Sequence, residues 1–205
     1  MTVSELSYLT KGEATRLTII DASVELFLEN GYHATSMRRI AERSGLALGG
    51  IYNHFASKEA IFEAVVVEKH PFNRVLPLIA GIEEETTPIS LRNAALIAIS
   101  EFQKEPDYLK LMFIELVEFH GRHSETLILE FMPRLVEVID RLGTRGDEVR
   151  LVDSRLLARS FLGMIISYVI TDFVIGGSRL VERPPDAVEA YVDLFLHGAM
   201  GNRCC

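Results

Sequence analysis

The chain has 205 residues, 48% of them hydrophobic and 24% charged, enough for a sizeable buried core and close to ordinary globular usage, which excludes disordered, fibrous and low-complexity classes. Two adjacent cysteines, Cys204 and Cys205, build no disulfide framework, and residues 1–10 hold Glu5 and no basic residue, so a cytoplasmic chain without a signal peptide is expected. The net charge of −8 argues globally against nucleic acid.

That average hides an asymmetry. Residues 1–60 carry six basic and seven acidic side chains, and residues 61–205 carry fifteen and twenty-two. Within 34–60, Arg38, Arg39, Arg43 and Lys58 face only Glu42 and Glu59, a local surplus of positive charge in an acidic chain.

Apolar residues recur at three- and four-residue spacing almost throughout, which predicts an all-α fold of about nine helices. Leu17, Ile20, Val24, Phe27 and Leu28 stripe a first helix over 11–29, ended by Asn30-Gly31, where glycine accepts the left-handed cap conformation. Ser36 caps a short helix to about 43, Ser44-Gly45 turns the chain, and 46–55 supplies the next helix with Ile51 and Phe55 inward. Ser57 caps a fourth helix that carries Ile61, Phe62, Val65 and Val66 on one face and meets Pro71 and Pro77, where a kink or stop is expected.

A head of 1–60, followed by a connecting helix over 58–76 and a second domain over 61–205, is the expected organisation. Thr87-Pro88 opens a helix to about 104, and others follow over 106–120, 123–142, 151–175 and 186–199. The longest uncharged apolar stretch there, 160–171, has 12 residues, short of the roughly 18–20 of a membrane span, so no membrane partner is expected.

Residues 36–55 hold the ingredients of a helix-turn-helix. Ala41 lets two helices approach, Gly45 turns the chain, and Ile40, Leu46, Ile51 and Phe55 fill the wedge that sets the second helix at a steep angle. Such a helix can enter a major groove while flanking basic and hydroxyl groups hold phosphates.

These residues resemble the N-terminal domain of TetR-family transcriptional repressors. Thr35, Ile40, Ala41, Gly45, Leu46, Gly49, Ile51, Tyr52, His54, Phe55, Lys58 and Ile61 fall at the family's spacing, and Phe27 with Asn30-Gly31-Tyr32 matches the end of its first helix. The likeness covers about 11–65 by motif and the rest by length and helical pattern. It implies a homodimeric regulator of double-stranded DNA, usually a repressor, released from a palindromic operator when a small, largely apolar effector binds the second domain.

The DNA-binding set it implies is Thr35, Ser36, Arg38, Arg39, Ala47, Leu48, Gly50, Tyr52, Asn53, His54 and Lys58. Tyr52, His54 and Lys58 stand where the family contacts phosphates. Ala47-Leu48 replaces the usual Ser-Lys, removing one basic contact and offering apolar contact to thymine methyls, and Gly50 replaces a hydroxyl residue. Tight helix packing is the competing explanation of Gly49-Gly50, and a solvated helical surface that of the arginines.

In the second domain, aromatic and thioether surface from Phe102, Met112, Phe113, Phe119, Met164 and Tyr168, with Glu115, His120 and Asp172 as orienting polar groups, makes a candidate effector pocket. The same residues serve equally as helix packing, and Asp172 has a cross-helix arginine such as Arg134 as its alternative partner. Val188, Tyr191, Val192, Phe195 and Leu196 on the last helix, with Leu156, Phe161 and Ile165 on the one before, are the candidate dimer interface, unless both stripes face the subunit's own core.

His120-Gly-Arg-His123 is a weak metal spacing because Gly121 breaks the helix, and no cofactor is expected. No nucleophile elbow, zinc-protease motif, phosphate loop or dinucleotide glycine pattern occurs, so a helical enzyme or small-molecule carrier with the head as scaffold is the alternative without a motif.

Overall fold

A computed structural model of the chain describes residues 10–83, 87–143, 153–175 and 186–199. The described residues form ten helices: α1 (Lys11–Ala34), α2 (Met37–Arg43), α3 (Leu48–Tyr52), α4 (Lys58–Glu68), α5 (Phe72–Ala80), α6 (Thr87–Gln103), α7 (Pro106–Glu118), α8 (Ser124–Gly143), α9 (Ser154–Ile175) and α10 (Ala187–Ala199). The tail with Cys204 and Cys205 lies outside them.

Local chemistry sets the helix ends. Thr10 and Glu13 form a reciprocal capping box at α1, and the Thr10 bonds hold the Glu13 carboxyl below its usual range. α1 is interrupted at Gly31, whose φ of 76° and ψ of 169° form a positive-φ conformation that glycine accepts but that is extended, not the left-handed helical cap expected at the end of the first stripe. Ser36 and Ser57 accept from Arg39 N and Ala60 N, so both expected caps are made. Gly45, at φ 70°, makes the turn between α2 and α3.

The long connecting helix expected over 58–76 is divided. α4 closes at Glu68 and α5 opens after Pro71, which lacks the amide that would continue the ladder, while Pro77 is carried inside α5.

The chain separates into two compact units, one from Met1–His70 with Asp107–Thr126 and the other from Pro71–Pro106 with Leu127–Cys205. In the first unit α2 and α3 pack together and onto α1, and α1 packs on α4. Its core holds Ile19, Ile20, Leu26, Phe27, Ile40, Ile51, Phe55, Ile61, Phe62 and Val65. α7 joins it: Tyr108 Oη donates to Val66 O at 3.2 Å, and the Phe119 ring stacks on Phe62 with centroids 4.9 Å apart.

The second unit is built on α6, which packs against α5, α9 and α10. Leu91, Ala94, Ala95, Ala98 and Ile99 of α6 are buried, small enough in the middle for close helix approach. Within α9, Ser154–Val174 is long and apolar enough to cross a membrane, with a mean hydropathy of 1.5, because the uncharged 12-residue stretch is only its centre. Leu157, Ala158, Phe161, Ile165 and Val169 of this helix are buried in the unit, whereas Leu156, Ile166, Phe173 and Val174 are exposed.

Candidate nucleic-acid interface

The helix-turn-helix leaves one face of α3 bare. Ile51 is buried beneath it, whereas Ala47, Leu48, Gly49, Tyr52 and Asn53 are exposed, with Tyr52 52% and Leu48 43% accessible. His54 is half-buried and its amide closes the turn on Ile51 O. A Cβ on Gly49 would meet nothing within 4 Å, and one on Gly50 only the Leu46 Cβ at 3.9 Å, so internal close packing does not account for this glycine pair.

The basic and hydroxyl residues divide into presented and committed groups. Arg38 is exposed and pairs with Glu42 one turn along at 3.0 Å, a contact easily exchanged in water. Arg39 is exposed and donates to Ala34 O and to Asn30 Oδ1, both at 3.2 Å. Ser36 is exposed, with its hydroxyl engaged as the α2 cap. Arg43 instead clamps α2 to α1 through Glu25 at 2.8 Å and Glu29 at 2.9 Å, and these bonds hold its guanidinium above, and the Glu29 carboxyl below, their ordinary ranges.

Two of the expected contacts are placed differently. Thr35 is 1% exposed and its hydroxyl donates to Leu26 O and Gly31 O, so the side chain is a strut at the end of α1 and presents nothing to a partner. The Lys58 ammonium donates to Tyr32 O and Thr35 O, both at 2.7 Å, over the Tyr32 ring at 4.0 Å. Partial burial lowers the lysine from its usual value. The family spacing locates both residues correctly, but their hydrogen bonds run to backbone up to 26 residues away, which spacing does not show.

A feature absent from the sequence reading is the aromatic cluster of Phe27, Tyr32, Phe62 and Phe119. Phe119 meets Tyr32 edge-on at 4.7 Å, and His123 lies 4.6 Å from Phe119. Burial raises the Tyr32 hydroxyl above its ordinary range. Glu115, 0% exposed, accepts from His123 N at 2.6 Å and Ser124 N at 3.2 Å, with His123 Nδ1 2.7 Å away. The turn it organises has His120 and Gly121 at φ 56° and 78°. Glu115 and Phe119 are therefore internal supports of the first unit.

The remaining effector candidates divide between the two units. Met112 is half-buried, Phe113 and His120 are exposed, and all three belong to the first unit, whereas Phe102, Met164, Tyr168 and Asp172 belong to the second. Asp172 accepts from Gln103 at 3.4 Å, a contact other than the Arg134 pairing offered as one alternative. The Tyr168 hydroxyl is buried without a partner among the described residues.

An open cavity of about 350 Å³ lies elsewhere in the second unit, between α5 and α8, floored by Phe72, Leu76, Phe131 and Val138 and rimmed by Arg134 and Arg141. None of the expected effector residues lines it. Among the described residues no three His, Cys, Asp or Glu side chains are grouped to hold a metal.

The interface stripes also turn inward. Phe161, Ile165, Val192 and Leu196 are buried in the second unit, with Phe161 meeting Phe195 at 6.0 Å. Tyr168 meets Tyr191 at 5.4 Å, and four of the eight candidate interface side chains, Phe161, Ile165, Val192 and Leu196, are taken up in the unit's own core. Val188, Tyr191 and Phe195 are half-buried and Leu156 is exposed, as are Ile166, Phe173, Val174 and Leu194 on the same two helices.

Residues 19–65 match the family model for bacterial regulatory proteins of the tetR family. The HTH-type transcriptional regulator UidR of Escherichia coli (strain K12) is 39% identical over 59 residues, 29% of this chain and 30% of UidR, so the chain matches under a third of that relative's length. The HTH-type transcriptional regulator YvkB of Bacillus subtilis (strain 168) is 25% identical over 190 residues, covering 90% of this chain and 96% of YvkB. A TetR-family regulator structure from Mesorhizobium loti shares the fold with a TM-score of 0.70 at 22% identity, covering 93% of this chain and 96% of its own.

Proposed function

We propose that this chain is a member of the tetR family of bacterial regulatory proteins, and a cytoplasmic, homodimeric, non-enzymatic repressor that leaves a palindromic operator when a small effector binds its second unit. The observation that carries this reading is the bare face of α3 within the matched segment: Leu48, Tyr52 and Asn53 are exposed, as are Arg38 and Arg39 of the preceding helix and its cap Ser36. An apolar side chain, a phenol and an amide can read base edges, while the arginines and the serine supply phosphate contacts.

Exposed Leu156, Ile166, Phe173 and Leu194 on α9 and α10 supply the surface through which two copies pair, and two-fold pairing requires half-sites one helical turn or a multiple apart. Titration of the pure protein against its own upstream DNA tests the reading. Specific retardation that weakens steeply with salt is expected, whereas equal affinity for unrelated DNA overturns it.

A further inference from the structure

We infer that the cleft between α5 and α8 is the effector seat and that it takes a small anionic amphiphile, a carboxylate carried on an apolar body. This deepens the regulator reading above and rests on it for the word effector. A cavity of about 350 Å³ is at the lower end of the roughly 300–1,000 Å³ of small-molecule sites, so the body is of medium-chain or bicyclic size.

The floor is apolar and firmly supported. Phe72, Leu76, Phe131 and Val138 are each at least 91% buried, and Phe72 is wedged edge-on against Phe102 at 5.5 Å and tilted to Phe131 at 6.2 Å.

The rim selects the charge. Arg134, Glu137 and Arg141 lie along one side of α8, three and four residues apart, so two cations flank one carboxylate at the mouth. Arg141 is committed: its guanidinium donates to Ala80 O, at the end of α5, at 2.6 Å. Arg134 makes no hydrogen bond or ion pair to any described residue, although it stands on the wall of an apolar cleft. A guanidinium in that position accepts a carboxylate through paired charge-assisted hydrogen bonds, and it repels an ammonium. α5 follows α4 in the chain directly after Pro71, so the cleft borders the segment that leads in sequence to the helix-turn-helix.

Calorimetric titration of the full chain with decanoate, 1-naphthoate, decanol and decyltrimethylammonium tests this. At least one acid should bind, with decanol about tenfold weaker and the cation weaker still, and the preferred acid shows whether the body is aliphatic or aromatic. Arg134→Gln should weaken the acids about tenfold and leave decanol unchanged. Ala80→Phe, which fills the cleft, should weaken all three binding probes. If Arg134→Gln does not fold, Glu137→Gln carries the charge test and should tighten both acids about threefold.

Equal affinity for acid and alcohol, failure of both acids to bind below millimolar concentration, or charge variants without effect overturn the assignment. DNA binding is measured on the same preparation without ligand. Its absence there sinks the regulator reading alone, and acid binding that leaves DNA affinity unchanged sinks the effector role of the cleft.

Discussion

The Lys58 ammonium sits 2.7 Å from the Thr35 carbonyl, across 23 residues of chain, and so ties the start of α4 to the junction from which α2 departs. Thr35 is the last residue before the α2 cap Ser36, so this bond fixes where the helix-turn-helix begins. The same ammonium holds Tyr32 O and covers the Tyr32 ring, which in turn packs on Phe62 and Phe119.

Lys58→Met should therefore cost about 1–2 kcal/mol of stability through two carbonyls that lose a charged donor, read as a lowered Tm. Its effect on DNA affinity should come without a change in salt slope. Arg38→Ala, which removes an exposed cation, should leave the Tm unchanged and flatten the slope by about one unit. A flatter slope for Lys58→Met would show that the ammonium leaves its carbonyls for a phosphate.

Gly50→Ala separates folding from DNA approach. The added Cβ touches only the Leu46 Cβ at 3.9 Å, so alanine should raise the stability of the head by up to about 1 kcal/mol. On DNA the same methyl group should weaken specific binding severalfold, because it holds the α3 backbone away from the groove. Paired thermal melts and operator titrations check this, and a variant both more stable and equally tight refutes the close approach.

Glu115→Ala removes the acceptor of two backbone amides and the partner of a buried histidine ring. Breaking such a buried arrangement costs about 3 kcal/mol or more, so denaturant unfolding should shift strongly. A change below about 1 kcal/mol would contradict the assignment of Glu115 as a support of the α7–α8 turn.

His70 predicts a pH dependence. Burial lowers the imidazole to about 3, and its ring packs against Tyr108 at 4.9 Å. The folded state then binds fewer protons than the unfolded chain between about pH 6.5 and 3, so stability is full above the upper value and declines as pH falls through that window. His70→Phe keeps a ring against Tyr108 and should flatten this part of the stability profile. An unaltered slope would assign the acid sensitivity elsewhere.

The two faces of α10 should respond oppositely to charge. Leu194 is 73% exposed, so Leu194→Glu should leave the monomer folded and shift light scattering from about twice 23.0 kDa towards a single chain. Val192 is 0% exposed, and Val192→Glu should unfold the second unit. A dimer unaffected by Leu194→Glu combined with Ile166→Glu would move the pairing surface away from these helices.

The sequence by itself determined what is encoded within a few residues of itself. Ser36 and Ser57 cap where their spacing to the next apolar run places them, Gly31 and Gly45 take positive φ, and Ile40, Ile51 and Phe55 fill the wedge. These are local rules of hydrogen bonding and helical period, and the family spacing over 35–61 is built from them. Tertiary structure alone decided which polar groups are spent. Arg43 is taken by Glu25 and Glu29, Lys58 by carbonyls of the α1 end, and Glu115 by the turn that follows it.

The same holds for the apolar residues. A helix striped over half its circumference states that something covers it, and only packing states whether that is α6 of the same chain or a second copy. Val192 and Ile165 are buried within the second unit, and Leu194 and Ile166 were left at the surface. Partners such as His33 and Glu118, 2.6 Å apart and 85 residues distant in the chain, have no periodicity that relates them, because their meeting depends on where α7 is carried and not on any pattern near either residue.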